Sequence, residues 1–128
     1  MDARTRRVHA AAVATILDNR TSHAALRISA IVFLVDTGPR VLSMYASAVA
    51  MQLDDTQLRS RTCHTISHHN AVRRAATDAI GRMEPDAQSA HAAAVALQLD
   101  SREWMVRLSA VRALGRMPAT VSAWATKI

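Results

Sequence analysis

The segments Val72-Arg73-Arg74-Ala75-Ala76-Thr77-Asp78-Ala79-Ile80-Gly81-Arg82-Met83 and Val106-Arg107-Leu108-Ser109-Ala110-Val111-Arg112-Ala113-Leu114-Gly115-Arg116-Met117 are two versions of one pattern. In the second, Val106, Ala110, Leu114 and Met117 recur at helical spacing while Arg107, Arg112 and Arg116 point elsewhere. One face of a helix is therefore built to be covered. Val72, Ala76, Ile80 and Met83 repeat that face, and Leu26, Ala30 and Leu34 repeat it again near the start of the chain. Three copies imply an internal repeat whose members bury their apolar faces against one another.

A second pattern alternates with the first. Pro39, Pro85 and Pro118 each open a helical spacing, where the missing N–H costs nothing because the first turn leaves it unpaired anyway. Six residues after each proline stands a ring (Tyr45, His91, Trp124), followed by an alanine (Ala46, Ala92, Ala125) and, three residues later, an aliphatic (Val49, Val95, Ile128). His9, Ala10 and Val13 fit the same template without the proline. We name this segment A and the arginine-bearing one B. Leu17-Asp18, Leu53-Asp54 and Leu99-Asp100 close the first three A segments, and an aspartate there can cap or stabilise the helix that follows.

The ring positions lie 36, 46 and 33 residues apart. The surplus in the middle falls near 56–69, a stretch rich in Thr, Ser, His and Asn that favours turns over helix and is either irregular or a short extra helix. The chain reads as one all-α domain, 1–128, with units at about 7–37, 39–83 and 85–117 and a partial unit at 118–128. Helix B of the middle unit is expected from Asn70, as cap, to Met83. Gly38, Gly81 and Gly115 each stand near a helix end, where a left-handed cap is the ordinary use of glycine.

Composition narrows the function classes. The formal charge is +6, with Lys127 the only lysine. Such a balance suits nucleic acid, acidic protein surfaces or anionic lipid, although arginine and alanine usage of this kind also follows from a GC-rich coding sequence. Phe33, Tyr45, Trp104 and Trp124 are the whole aromatic set, too few for a large aromatic-lined pocket. Cys63 is alone, which excludes an intramolecular disulfide and points to a reducing, cytoplasmic setting. The most apolar run, Ile28 to Val35, is far shorter than the roughly 20 residues that span a bilayer. Arg4, Arg6 and Arg7 ahead of an alanine-rich stretch resemble the start of an organelle transit peptide, but residues from His9 onward match the repeat, so no such targeting is expected.

A Pro-opened helix closing on Leu-Asp, followed by Trp104-Met105-Val106-Arg107-Leu108-Ser109-Ala110-Val111-Arg112-Ala113-Leu114-Gly115-Arg116-Met117, resembles the HEAT repeat of armadillo-like solenoids, including the repeats of phycobilin lyases. The similarity covers nearly the whole chain outside 56–69 and is strongest over 72–117. The resemblance implies a short right-handed α-solenoid of about three helical hairpins plus a trailing half-repeat. It also implies a polar ladder in which a turn aspartate meets a helix-B arginine: Asp18 with Arg27, Asp100 with Arg107, and Asp54 with Arg59, Arg61 or Arg73. The chain departs from the family in stopping partway through a fourth helix A and in lacking the polar capping units such arrays use for solubility. It is accordingly open to being part of a longer array.

Few side-chain constellations suggest chemistry. Cys63, His64, His68 and His69 would offer ligands at helical spacing, but they match no standard zinc motif and read as a histidine-rich polar insertion. The His-Glu pairs of HEAT-like di-iron hydroxylases are missing, as are a nucleophile elbow and a Gly-rich phosphate loop. Trp124 occupies the ring position of helix A, a packing role, and Trp104 stands where the family often places an aromatic. No catalytic residue, metal or cofactor is expected. Arg73, Arg74, Arg107, Arg112 and Arg116, with Arg82, could align along successive B helices as an interaction face. The expected function is a non-catalytic protein–protein interaction scaffold with a protein or peptide partner. Nucleic-acid binding through the arginine face is the alternative, and a HEAT-type enzyme such as a phycobilin lyase stands third.

Overall fold

The computed structural model describes residues 3–18, 23–53 and 63–117, with the backbone alone for 3 and 63–69. Seven α-helices occupy them: α1 (Ala3–Asp18), α2 (Ala24–Asp36), α3 (Pro39–Met44), α4 (Ala46–Ala50), α5 (Cys63–Ile80), α6 (Pro85–Leu97) and α7 (Trp104–Gly115). Short 3-10 turns extend α4 over Met51–Leu53 and α6 over Gln98–Asp100. The described chain is all-helical, without a strand. Helices α2, α5 and α7 lie side by side with α5 in the middle, and their two joints are the most extensive among the described helices. Helix α1 packs on α2, α4 touches α1, α5 and α6, and α6 packs on α7 and α5.

The apolar spacing of the B segments is what fills the centre. Val72, Ala76, Ile80, Met83, Val106, Ala110, Leu114 and Met117 are all buried, as are Ala30 and Leu34. Ala46, Val49, Ala92 and Val95 of the A segments join all of these except Val106 in one continuous core. Each large aliphatic removed from water there contributes roughly 1.5–3 kcal/mol. Leu26 departs from its predicted place and is 47% exposed, although Val72 and Val106 at the same position of the pattern are 1% and 0% exposed.

Pro39 and Pro85 sit in the first turns of α3 and α6, as their missing N–H demands. Gly38 has φ 104°, the left-handed geometry that lets α2 end and α3 begin at once. Gly81 and Gly115 are not left-handed, correcting the cap expectation for both. Gly81 is small for another reason: a Cβ there would lie 2.9 Å from the Ala113 Cα, so its hydrogen lets α5 and α7 approach closely.

Three further expectations change. Helix B of the middle unit begins at Cys63 and ends at Ile80, rather than spanning Asn70 to Met83. Its weak helix formers cost only about half a kcal/mol each, and extending a packed helix avoids a new nucleation step. Residues 54–62 lie outside the described chain. Asp18 and Asp100 do not cap the helices that follow: the N-cap residues are His23 and Glu103, and neither makes a side-chain cap bond. Finally, helix A of the middle unit is bent at Tyr45 (φ −110°, ψ 23°), which separates α3 from α4. The Ser43 Oγ donates to the Pro39 carbonyl at 2.6 Å, a back-bond to the preceding turn that bends helices. The same oxygen accepts the Glu84 N–H at 2.8 Å, tying α3 to the N-cap of α6.

Candidate functional site

Side-chain volume decides how closely neighbouring helices pack, and the α2–α5 joint is built from larger residues than the α5–α7 joint. Ile28, Ile31, Val32 and Val35 of α2 face Ala71, Ala75 and Ala79 of α5 across an open groove of about 370 Å³. Arg74, Asp78 and Arg82, spaced four apart on α5, line it as well. The floor is therefore apolar and the wall carries two cations and one anion. Arg74 and Arg82 are exposed, Asp78 is half-buried, and Val32 is 50% exposed at the mouth.

The wall continues onto α7. By the sequence pattern Leu108, Arg112 and Arg116 take the places of Arg74, Asp78 and Arg82, and both of these arginines are exposed. On α2 the same places hold Ile28, Val32 and Asp36. The surface formed by the three helices is thus apolar with a single acid at the α2 end and basic at the α7 end. Among the expected face residues, Arg74, Arg112 and Arg116 belong to this surface.

Arg73 and Arg107 do not. Arg73 is buried, and its Nη1 donates to the Asn70 Oδ1 at 3.4 Å, so it is withdrawn from the exposed face. Asn70 serves here as an acceptor inside the helix instead of as its cap. Arg107 is exposed on another side of α7, where its Nη1 donates to the Ser101 carbonyl at 2.7 Å.

The expected polar ladder takes a different form at its first rung. Arg27 is buried, and its Nη1 donates to Gln52 Oε1 at 3.1 Å. Gln52 in turn donates through Nε2 to the Leu17 carbonyl at 2.9 Å and the Ala48 carbonyl at 3.1 Å. A neutral amide thus joins the end of α1, the first turn of α2 and the end of α4. Leu17 offers one of the carbonyls that a helix C-terminus leaves without an internal partner. Asp18 is exposed, and Arg27 is bonded to Gln52 rather than to it. Burial lowers the pKa of Arg27 from its ordinary value, because the charged form loses hydration. The Asp100–Arg107 rung is likewise replaced, by the bond to the Ser101 carbonyl next to Asp100. Asp54, Arg59 and Arg61 lie outside the described residues.

Cys63, His64, His68 and His69 are on the first turns of α5, but their side chains are outside the described residues, as are Pro118, Trp124 and Lys127. No group of three potential metal-ligating side chains occurs among the described residues. Among them, no helix is long and apolar enough to cross a membrane.

Sequence reasoning missed Ile28, Val32 and Val35 as groove residues. Their signal was the run Ile28 to Val35, which is apolar around most of the helix and so asks for cover on more than one side. Comparisons of the chain with protein-family models, curated proteins and solved structures found no match.

Proposed function

We propose that the chain is a short HEAT-like α-solenoid that acts as a non-catalytic interaction scaffold, holding an amphipathic, acidic segment of a partner protein in the α2–α5 groove. The observation that carries this reading is the combination in one groove of an apolar floor with exposed Arg74 and Arg82 on its wall. Helical anchors seat their apolar side in such a groove while their acidic side meets the arginines. The side-by-side order of α2, α5 and α7, with the A helices packed against them, supports the solenoid part of the reading. It also leaves the chain suited to a place in a longer array.

Four exposed arginines, Arg74, Arg82, Arg112 and Arg116, favour nucleic acid as the second reading. One experiment separates the two. Binding of a labelled Leu/Glu amphipathic peptide and of a labelled mixed-sequence duplex is measured across a salt series, for the wild type, Val32→Asp and the Arg74→Ala/Arg82→Ala pair. The scaffold reading expects peptide binding that Val32→Asp abolishes. The nucleic-acid reading expects duplex binding that falls steeply with salt and is indifferent to Val32→Asp. Its salt slope should shrink by about one for each phosphate-bound arginine that is removed. Binding of neither probe would overturn both readings.

A further inference from the structure

The B segments share one pattern, so equivalent positions on α2, α5 and α7 can be compared directly. At the two joints the pattern works in one direction: one side of each helix meets the opposite side of the next. Ile31 on α2 and Thr77 on α5 face the following helix and are 1% and 0% exposed, whereas Val111, their equivalent on α7, is 46% exposed. Arg27 and Arg73 are buried, and Arg107 is exposed. Gly81 presses against Ala113, whereas a Cβ on Gly115, its equivalent, would meet nothing within 4 Å. Trp104, 60% exposed, completes a stripe with Arg107, Leu108, Val111 and Gly115 along one side of α7.

The opposite side is laid bare on α2. Val72 and Val106 face the preceding helix and are closed off, while Leu26 is open. Ala79 and Ala113 are completely buried, while their equivalent Phe33 is only half-buried. Leu26, Ser29 and Phe33 form the stripe on this side of α2. One stripe is what an internal B helix shows to its successor, and the other is what it shows to its predecessor.

We infer that the α7 stripe of one molecule docks on the α2 stripe of a second copy, continuing the α2–α5–α7 stacking head to tail. The sizes fit the internal rule. At the pattern position where Gly81 meets Ala113, Gly115 would meet Phe33, so the missing side chain on one copy makes room for the ring on the other. The charges fit too. Arg27 reaches the 3-10 turn at the end of the next A segment, at Gln52. In a second copy the corresponding end is that of α1, where Ile16 stands in the place of Gln52 and the exposed carboxylate of Asp18 lies two residues on, within the reach of a long guanidinium. Such contact joins unlike surfaces and extends into an open chain, in contrast to a two-fold dimer. It is independent of the groove reading above.

Sedimentation velocity of the full chain over two decades of concentration tests the inference, at moderate salt to screen the net positive charge. The wild type is expected to form a concentration-dependent ladder of oligomers. Val111→Glu and Leu26→Glu each disable one stripe and are expected to weaken self-association roughly a hundredfold. Mixed in equal amounts they form a dimer and nothing larger, because each supplies the stripe the other lacks. Circular dichroism and a thermal melt show whether either variant is folded. Gly115→Gln, at a position with open space around it, replaces Val111→Glu if that variant is not. A wild type that stays monomeric throughout overturns the inference and leaves the α7 stripe to residues 118–128 or to a different protein. Self-association that survives in Val111→Glu and Leu26→Glu alike, or a mixture that remains monomeric while the wild type associates, overturns the head-to-tail arrangement.

Discussion

The α2–α5 and α5–α7 joints use the same positions of the same repeated pattern and yet differ in what holds them. At the first, branched aliphatics on α2 face alanines of α5 across an open groove, and Arg27 on the same α2 helix is tied through Gln52 to the Leu17 carbonyl of α1. At the second, Gly81 and Ala113 bring the backbones nearly into contact. Pattern sets which helices neighbour each other, and side-chain volume at two or three places sets whether the joint is an open groove or a seam.

The largest effect should come from cutting into the first joint. Ile31→Ala leaves a cavity beneath the groove and is expected to destabilise the fold by about 2–5 kcal/mol in chemical denaturation. Gln52→Leu removes the acceptor of a buried guanidinium and should cost about 1.5–3 kcal/mol. Arg27→Met, which removes the charge itself, should cost less than Gln52→Leu, because an apolar side chain of similar length needs no partner. If the two rank the other way, the amide is not what ties α2 to α1 and α4.

At the second joint, Gly81→Ala drives a methyl group against the Ala113 backbone and should cost about 1–3 kcal/mol. Gly115→Ala, the same change at the equivalent open position, should be neutral or stabilise by less than about 1 kcal/mol through helix propensity. Equal effects at the two glycines would erase the distinction between seam and open surface.

A substitution inside the second joint should stabilise. The Thr77 hydroxyl is fully buried and has no hydrogen-bond partner among the described residues. Its equivalents on α2 and α7 are Ile31 and Val111, so Thr77→Val restores the pattern and should stabilise by about 1 kcal/mol, read as a raised denaturation midpoint.

Much of the helical order was legible because it is written in spacing. Val72, Ala76 and Ile80 declare a covered face, and Pro39 and Pro85 declare where helices begin. What spacing does not encode is which of several polar groups meets a buried cation. Asp18 offered a charge, but Gln52 offered an acceptor and a donor together, and its donor also satisfies the Leu17 carbonyl. Gly81 escapes prediction for a related reason: a glycine near a helix end has two uses, and only the neighbour across the joint decides between them. The groove was the least legible feature, since it arises from a mismatch in size between α2 and α5 that neither helix reveals alone. The split of the arginines follows the same logic, with Arg73 and Arg74 adjacent in the chain, the first buried and the second exposed.

The glycine seam has a mechanical corollary. Two backbones nearly in contact form a hard stop, whereas branched side chains lining an open groove can shift by small rotamer changes. Under hydrostatic load or a bending force the molecule should therefore behave as a stiff α5–α7 block hinged on α2. Strain would concentrate along the groove between α2 and α5, the part of the described helices with room to yield.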